Sequence, residues 1–584
     1  MGDLFFDLRD SLRGFRRNRL YAATVVATLA LTLGATTAVF SIVNGVLLRP
    51  LAYREAQQLV SIREVIPRIT AQYPNLPANG RHFEEWRNHA TSYAAIAELD
   101  WRTTTLTGAG EAAQLEILRA SGTVFDVLQA PVALGRALTR EDERKERPQV
   151  VVISHGLWRD RLGSDPAVLG RNLMLGGLPY TVVGVLPAGA ELPTFDVLSE
   201  SGSLTSKFDA VVPMRLNLDQ VGWMGQFNYA VIARLKAGVS IDQARSELNV
   251  LQQSVAQIAA RETKEDVDLR GWIAPLGESI VGRARLGLLL LLGAIAGVVL
   301  IACSNLANLS LTRTLGRLRE SGVRSALGAS HTRLVRQAIV EQLVLAVAGG
   351  ALGLVVALEA LRLFVRTAPI DLPRVNDVVI DGRVLAFAAV VTVITGFAVS
   401  LLPAWRLTRH DVQGMLRSGD RGATDRGGVA ARSTLLAVQI ALAAALLVTT
   451  GLFVTSFVHL MRIDPGFSAA GVVAVEIKPI ARRYPDTPER AALYDRILDR
   501  VHALPSVTSA AWTSMLPLTG ETWVDLVSRI DDPRPGMQKP SANYRFVGPD
   551  YFRTLSMPIL KGRSIEARDR ANTVTPAVIS ARAA

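Results

Sequence analysis

The side chains with the clearest chemical potential in this sequence are arginines, and they are concentrated between two apolar runs. Residues 313–340 contain six arginines and a single acidic residue, Glu320. The arginines are Arg313, Arg317, Arg319, Arg324, Arg333 and Arg336. A planar guanidinium offers a fork of N–H donors to a partner, while short arginine-rich loops also stay on the cytoplasmic side of a membrane. The segment is therefore either a docking surface or only a positive-inside anchor.

Sequence signatures of catalysis, cofactor binding and metal binding are absent from the 584 residues. There is no G-x-x-x-x-G-K-[ST] loop to hold nucleotide phosphates, and no H-E-x-x-H, G-x-S-x-G or C-x-x-C motif. Cys303 is the only cysteine, and it lies inside an apolar run, where a small buried hydrophobic residue is expected. We therefore predict that the chain is not an enzyme and needs no cofactor.

The composition indicates a membrane protein. Hydrophobic residues make up 49% of the chain, and the net charge is +12. A basic excess can indicate nucleic-acid binding, but here it flanks long apolar runs, so the expected partner is the lipid bilayer and no nucleic-acid partner is expected. About 20 apolar residues cross a bilayer as a helix. The apolar runs predict five spans, at 20–48, 286–312, 340–364, 384–405 and 433–461.

The distribution of arginine predicts how the spans are oriented. Basic residues in segment 1–19 place the N-terminus in the cytoplasm, together with 313–339 and a Gly- and Arg-rich segment, 406–432, that is expected to be a flexible linker. Residues 49–285 and 462–584 are then extracytoplasmic. In the first span, Gly34 and Gly45 favour close helix packing in lipid.

The pattern of residues 49–285 predicts an α+β domain. Residues 82–97 have the pattern of a helix, while 149–154 and 180–185 alternate as strands do. Gly176 and Gly177 predict a hairpin turn between 172–175 and 180–185. Ser240 is predicted to cap a helix whose apolar face begins at Ile241. In the second extracytoplasmic segment, strands are predicted at 472–477 and 507–512, with a helix at 489–503.

The two extracytoplasmic segments share a sequence signature, which indicates a duplication. F-D-V-L-Q-A-P at 125–131 precedes G-R at 135–136 and Asp142, and F-R-T-L-S-M-P at 552–558 precedes G-R at 562–563 and Asp569 with the same spacing. V-I-S follows at 152–154 and at 578–580. The second copy stops at that point, so we expect it to be truncated and less protected from hydrogen exchange than the first, as a fragment of a longer chain would be.

The segment R-L-R-E-S-G-V-R-S-A-L-G-A at 317–329, followed by a basic helix, Glu341 and a Gly-rich span, resembles the coupling segment of MacB/FtsX-type ABC transporter permeases. Ser321 departs from the family pattern, in which an apolar residue is usual. P-A-W-R at 403–406 is similar to the ending of a span in the same family. The resemblance implies α-helical transmembrane spans with MacB-type α+β extracytoplasmic domains. The duplication resembles the acidobacterial duplicated orphan permeases.

The resemblance implies a function in a bacterial inner membrane. A separate ABC ATPase would dock on the basic segment and drive a conformational change of the extracytoplasmic domain for export; a second permease copy or a periplasmic adaptor are further partners considered. The residues implied in coupling to the ATPase are Arg317, Arg319, Glu320, Gly322, Arg324, Gly328, Ala329 and Glu341. The alternative is a membrane-anchored FtsX-like signalling or scaffold protein that moves no substrate.

Overall fold

The computed structural model describes residues 18–316, 331–367, 378–409, 426–479, 487–518, 523–534, 539–571 and 576–581, apart from 72, 109, 196–201, 206 and 283, together with 9, 11, 13, 15, 16, 374 and 484. The chain divides into a membrane unit, residues 1–49 with 283–462, and a second unit, residues 50–282 with 463–584. In the second unit, residues 50–282 are called the sheet domain below.

The described helices comprise long apolar ones and shorter ones. In chain order they are α1 Arg19–Val43, α2 Gly80–His89, α3 Val124–Leu128, α4 His155–Leu162, α5 Ile241–Thr263, α6 Leu276–Val281, α7 Ala284–Gly316, α8 His331–Thr367, α9 Gly382–Arg409, α10 Arg426–Arg462, α11 Thr487–His502 and α12 Tyr551–Thr554. A π-helical turn, Asn44–Leu48, continues α1.

Almost all described strands belong to the sheet domain. In chain order they are β1 Leu59–Val65, β2 Ala78–Asn79, β3 Tyr93–Thr107, β4 Ala113–Ala120, β5 Leu134–Gly135, β6 Val150–Ile153, β7 Asn172–Leu175, β8 Leu178–Val185, β9 Leu192–Phe195, β10 Gly202–Thr205, β11 Ala210–Pro213, β12 Phe227–Leu235, β13 Arg270–Pro275, β14 Trp523–Leu526 and β15 Ser541–Tyr544.

Among the described residues, five helices are long and apolar enough to cross a membrane. They are α1 with its π-helical turn, α7, α8, α9 and α10, and each contains one of the runs predicted as spans. The segment predicted as a linker, 406–432, overlaps both neighbouring helices, because α9 continues to Arg409 and α10 already begins at Arg426. Residues 410–425 lie outside the described residues.

Glycines allow α1 and α8 to approach closely. A Cβ atom built at Gly353 would lie 3.0 Å from both the backbone oxygen of Ala30 and the backbone nitrogen of Gly34. One built at Gly349 would lie 2.5 Å from the Cβ atom of Leu29. The pairs Ala30 with Gly34 and Gly349 with Gly353 are both four residues apart, so two small-xxx-small faces meet. The close packing predicted for Gly34 is confirmed.

The sheet domain is built on one 11-stranded mixed sheet with the order β13-β1-β12-β3-β4-β11-β6-β8-β5, to which β2 and β7 add at the side. Two strand pairs, β11 with β4 and β6 with β8, are parallel. Helix α5 packs on β13, where Gly271 leaves room for the side chain of Leu248. Buried residues of the inner strands, such as Ile62, Leu99 and Leu118, form the core.

Two local predictions for this domain are confirmed. β7 and β8 form an antiparallel hairpin whose turn residues Gly176 and Gly177 have φ values of 58° and 83°. Positive φ at both positions is what a type I′ turn requires, and glycine adopts it without strain. Ser240 caps α5, since its side chain accepts the backbone N–H of Gln243 while the Gln243 side chain accepts the Ser240 N–H.

The helix predicted at 82–97 is wrong in its second half. Helix α2 begins at Gly80 and ends at His89, and from Tyr93 the chain forms the 15-residue strand β3. The segment contains alanine and glutamate, which favour helices. However, β3 pairs with β12 on one side and β4 on the other, and this pairing in a central strand overrides local propensity.

In the segment 463–584, the predicted helix is confirmed as α11, while the strands predicted at 472–477 and 507–512 are not formed. Val473 and Val475 are 85% and 76% exposed. The alternating apolar residues that predicted a strand are therefore not buried against any other element. The strands described in this segment, β14 and β15, pair only with each other.

The repeated signature adopts the same conformation in both copies, a loop closed by an arginine and an aspartate that we call the Arg–Asp ring. Arg136 donates from Nη1 and Nη2 to Asp142 at 2.7 and 2.9 Å, and Arg563 does so to Asp569 at 2.8 and 2.7 Å. The preceding glycines, Gly135 and Gly562, have φ values of 77° and 85°. The predicted repeat therefore has a structural counterpart.

The hydrogen bonds of the ring also change the acidity of its carboxylates. Burial alone would raise the pKa of Asp142, but the hydrogen bonds from Arg136 and Thr139 outweigh it and hold the pKa below its usual range. The hydrogen bonds from Arg563 and from the Glu566 N–H lower the pKa of Asp569 as well. Both rings are therefore closed by an ionised carboxylate at neutral pH.

Candidate coupling site in the membrane unit

The basic segment connects α7, which ends at Gly316, to α8, which begins at His331. Seven of the eight residues assigned to coupling fall between these helices and lie outside the described residues. They are Arg317, Arg319, Glu320, Gly322, Arg324, Gly328 and Ala329. The eighth, Glu341, lies in α8, ten residues after the start of the helix.

Glu341 forms an ion pair with Arg313 of α7. The Arg313 Nη1 and Glu341 Oε1 atoms are 2.8 Å apart, and the two side chains are only 14% and 18% exposed. Ion pairs that are shielded from water are screened little by salt. This contact therefore joins α7 to α8 on the two sides of the basic segment, although the sequence analysis assigned the two residues separately.

Aromatic and polar side chains add α1 to the same cluster. The guanidinium carbon of Arg313 lies 4.2 Å from the ring centroid of Tyr21 and 6.0 Å from that of Phe15. Beside it, Gln342 donates from Nε2 to Ser310 Oγ at 2.9 Å and to Tyr21 Oη at 3.3 Å. Stacking of a guanidinium on an aromatic face is favourable, more so where water is excluded.

The sequence contained only an indirect signal for this cluster. Arg313 and Glu341 were recognisable as single charges next to apolar runs, but their distance in the chain does not reveal that they meet. Tyr21 and Gln342 were not singled out, because an isolated aromatic or amide residue at a helix end is common in membrane spans. These contacts cross-link α1, α7 and α8 next to the basic segment.

No group of His, Cys, Asp or Glu placed to hold a metal ion occurs in the part of the chain that the structure describes.

Comparison with known protein families gives two matches that divide the chain in the same way. The family model described as MacB-like periplasmic core domain matches residues 22–251. The model described as FtsX-like permease C-terminal matches residues 292–412, which include α7, the basic segment, α8 and α9. A multi-span membrane permease with an α+β periplasmic core domain is the class of protein that these matches define. The two matches, together with the relatives, support a MacB/FtsX-like ABC permease.

Individual relatives have less than 30% sequence identity to this chain. The pyoverdine export ATP-binding/permease protein PvdT of Pseudomonas entomophila is 29% identical over 48% of this chain and 39% of its own length. The macrolide export ATP-binding/permease protein MacB of Nitrosomonas europaea is 27% identical over the same shares. The matches thus span about two fifths of these relatives. Among solved structures, the periplasmic region of MacB from Actinobacillus actinomycetemcomitans is 12% identical over 41% of this chain and 94% of its own, with a TM-score of 0.27.

Removing the carboxylate of the ion pair is expected to loosen the base of the basic segment. Glu341→Ala leaves Arg313 without its carboxylate partner, at a cost of about 1–2 kcal/mol, since stacking on Tyr21 remains. The measurement is the thermal stability of the detergent-solubilised chain. Glu359→Ala is the matched control, because Glu359 lies in the same helix, pairs with Arg362 and is 64% exposed. The control is expected to change stability by no more than about 0.5 kcal/mol.

A double substitution separates the ion pair from other roles of the two residues. The double variant Arg313→Leu with Glu341→Leu contains neither charge of the pair. Its thermal stability should therefore be higher than that of Glu341→Ala, in which Arg313 has lost its carboxylate partner. If Glu341→Ala and Glu359→Ala behave alike, the ion pair does not hold α7 to α8.

Proposed function

We propose that this chain is the membrane subunit of an ABC-type export system, in which a separate ATPase supplies the energy. The observation that carries the proposal is the cross-linked base formed by Arg313, Glu341 and Tyr21, which holds both helices that flank the basic segment. A force applied to that segment is delivered to α1, α7 and α8 together, because these helices share the cluster. The match of the FtsX-like model to residues 292–412 supports this reading.

The proposed partner is an ATPase because the relatives are named as ATP-binding/permease proteins. The names of two relatives refer to export of pyoverdine and of macrolides, which favours export as the direction of transport. A second permease copy and a periplasmic adaptor are compatible with this assignment as additional partners.

We also propose the orientation in the membrane. The N-terminus and the basic segment would face the cytoplasm of a bacterium, and the sheet domain would face the other side of the inner membrane. The support is the asymmetry of arginine across the five apolar helices. The two Arg–Asp rings support a relationship to the duplicated orphan permeases, since both copies keep the same closing contacts.

Docking of the ATPase is tested by co-purification and by stimulation of ATP hydrolysis. Arg324→Lys keeps the charge and removes the planar donor fork, and Glu320→Ala removes a possible partner contact. Both variants are expected to lower stimulation by about tenfold, the equivalent of about 1.4 kcal/mol. Arg366→Lys is the control, because Arg366 is exposed in the last turn of α8, at the helix end opposite the basic segment.

The outcomes distinguish the alternatives. If both variants bind and stimulate the ATPase like the parent chain, the arginines are only a positive-inside anchor and the docking role is wrong. If the ATPase binds and is stimulated but membrane vesicles accumulate no exported compound, the FtsX-like signalling alternative replaces export. If no ATPase co-purifies, a scaffold role replaces both.

A further inference from the structure

The sheet domain contains a cavity of about 460 Å³ that has no part in the coupling proposal. It lies between α2, β3 and the segments around residues 140–144 and 214–218. Its apolar lining residues, called the apolar wall below, are Phe83, Met214, Leu216 and Leu218. Its charged lining residues, called the charged wall, are Glu84, Arg87, Glu98, Arg140, Glu141, Glu143 and Arg144. Its volume is in the range of pockets that take small molecules.

Glu98 of β3 is the unusual residue in this wall. It is 1% exposed, and its Oε1 atom has no hydrogen-bond partner among the described residues. The strand position is fixed, because the backbone N–H of Glu98 donates to Ser121 Oγ at 3.0 Å and the Ser121 N–H donates to the Glu98 carbonyl at 2.9 Å. A buried polar atom left without a partner is costly. Glu98 therefore holds an acceptor at the cavity wall that a ligand can satisfy.

The one arginine close to Glu98 is already committed to other carboxylates. Arg87 donates from Nη1 to Glu143 at 2.6 Å and from Nε to Glu84 at 3.2 Å, and it is mostly buried between them. Glu143 also accepts the backbone N–H of Gly122 at 2.8 Å. Arg87 is thus held by Glu84 and Glu143, and no contact between Arg87 and the Glu98 Oε1 atom is formed. A cation in the cavity would balance the charge of Glu98 once Glu98 is ionised.

We propose that this cavity binds a small amphipathic amine, whose ammonium group pairs with Glu98 while its hydrocarbon part lies on the apolar wall. An ammonium has three N–H donors and fits a single unsatisfied carboxylate. A metal ion is a poorer fit, because no group of three or more suitable ligands converges in the described part of the chain. Phe83 and Leu216 provide the apolar contact that a bare metal ion would not use.

Binding of an amine would be linked to the release of a proton. Burial, together with the neighbouring acidic groups, raises the pKa of Glu98 well above its usual value, although Arg87 acts in the opposite direction. Without ligand the raised pKa favours the protonated acid, whereas pairing with an ammonium favours the ionised form, so that binding releases the proton to solvent and the amine remains charged. Affinity should then rise with pH. The charged and titratable groups facing Glu98 are Glu84, Arg87, Asp100, Glu143 and Tyr229.

The other carboxylates around Glu98 already have partners. Glu84 and Glu143 are held by Arg87, and Asp100 receives hydrogen bonds from Arg102 and Arg119 at 2.9 and 3.2 Å. Burial raises the pKa of Tyr229, so its hydroxyl stays neutral in the range of the experiment. We therefore assign the expected proton release to Glu98, whose Oε1 atom has no hydrogen-bond partner among the described residues.

The test uses 2-phenylethylamine and its neutral analogue 2-phenylethanol, titrated calorimetrically into the full detergent-solubilised chain. Two buffers with different heats of ionisation measure the protons released. We expect about one proton per amine bound, an affinity for the amine at least about tenfold above that for the alcohol, and tighter amine binding as the pH rises from about 6 to about 8. A Kd for the amine weaker than about 1 mM would overturn the proposal.

Two variants assign the effect to Glu98. Glu98→Gln has the shape of the protonated acid, so we expect it to fold, to bind the amine about tenfold more weakly and to release no proton. Glu116→Gln is the control, since Glu116 is an exposed glutamate of β4 that is not among the residues lining the cavity, and it is expected to leave binding of the amine unchanged. Equal binding of amine and alcohol, binding without proton release, or an unchanged affinity in Glu98→Gln would each overturn the proposal. The ATPase-docking experiment is unaffected by any of these results.

Discussion

Replacing His82 by leucine is expected to lower the free energy of unfolding of the sheet domain by about 3–5 kcal/mol, because it leaves a buried carboxylate without its partner. His82 Nδ1 lies 2.7 Å from Glu64 Oε2, and both side chains are completely buried. The other ring nitrogen, Nε2, lies 2.7 Å from the carbonyl oxygen of Trp223. The substitution therefore removes the imidazole from both the buried Glu64 carboxylate and the half-buried Trp223 carbonyl.

Glu64 lies at the centre of a hydrogen-bond network, so the loss of His82 affects several elements at once. Its carboxylate also accepts the backbone N–H of Asn79 at 2.8 Å and the side-chain amide of Gln252 at 2.9 Å. These contacts connect β1, β2, α2 and α5 through one side chain. His82, Asn79 and Gln252 are all fully buried, so the variant loses the contact of the imidazole inside the core.

Hydrogen exchange of the β1 and β12 amides in the full chain measures the effect as a free energy of opening. His89→Leu is the matched control, because His89 lies in the same helix, pairs with Glu85 at 3.2 Å and is 60% exposed. It is expected to change stability by less than about 1 kcal/mol. Adding Glu64→Gln to His82→Leu should recover part of the loss, because the buried charge is gone. A His82→Leu chain as protected as the His89→Leu chain would refute the role of this pair.

The second large effect is expected in the membrane unit, where Gly353→Leu should separate α1 from α8. A Cβ atom at this position already lies 3.0 Å from backbone atoms of Ala30 and Gly34, and the backbone cannot rotate away as a side chain does. A leucine requires the two helices to move apart along their whole contact. We expect a destabilisation of about 3 kcal/mol or more, in a medium where close packing is the main force that holds helices together.

Thermal unfolding of the detergent-solubilised chain and the yield of folded protein in membranes measure this effect. Gly293→Leu is the control, because a Cβ atom at Gly293 in α7 meets nothing within 4 Å. Leucine also favours helix formation over glycine, so the control should be neutral or slightly more stable. Equal stability of Gly353→Leu and Gly293→Leu would mean that α1 and α8 are not held by this contact.

What could be predicted from the sequence is what a few neighbouring residues specify. The hairpin at Gly176 and Gly177 follows from the φ values that only glycine adopts easily, and the cap at Ser240 from a hydroxyl within reach of its own helix. The apolar helices follow from length and composition. In each case the physical cause lies within one continuous stretch of the chain, which is a few residues long for the turn and the cap and about 20 residues long for a span.

Features that depend on distant partners were missed. Strand β3 looks helical by propensity and becomes a strand because β12 and β4 flank it. Glu98 is an ordinary glutamate in the sequence, and only the surrounding helix, strands and loops make it a buried acceptor at the wall of a cavity. The same holds for Arg313 and Glu341, whose contact bridges the basic segment.

The Arg–Asp ring gives the chain an internal control. Two versions of one small loop exist in the same polypeptide, and their arginines are equally exposed at 48%. They differ in their surroundings: Asp142 accepts an additional hydrogen bond from the Thr139 hydroxyl at 3.0 Å, and its carbonyl accepts two from Arg215. An identical change made once in each ring would thus compare a single motif in two environments, under one set of solvent, temperature and expression conditions. The difference between the two changes in stability would measure how much the surrounding residues contribute, since the Arg–Asp contact itself is the same in both rings.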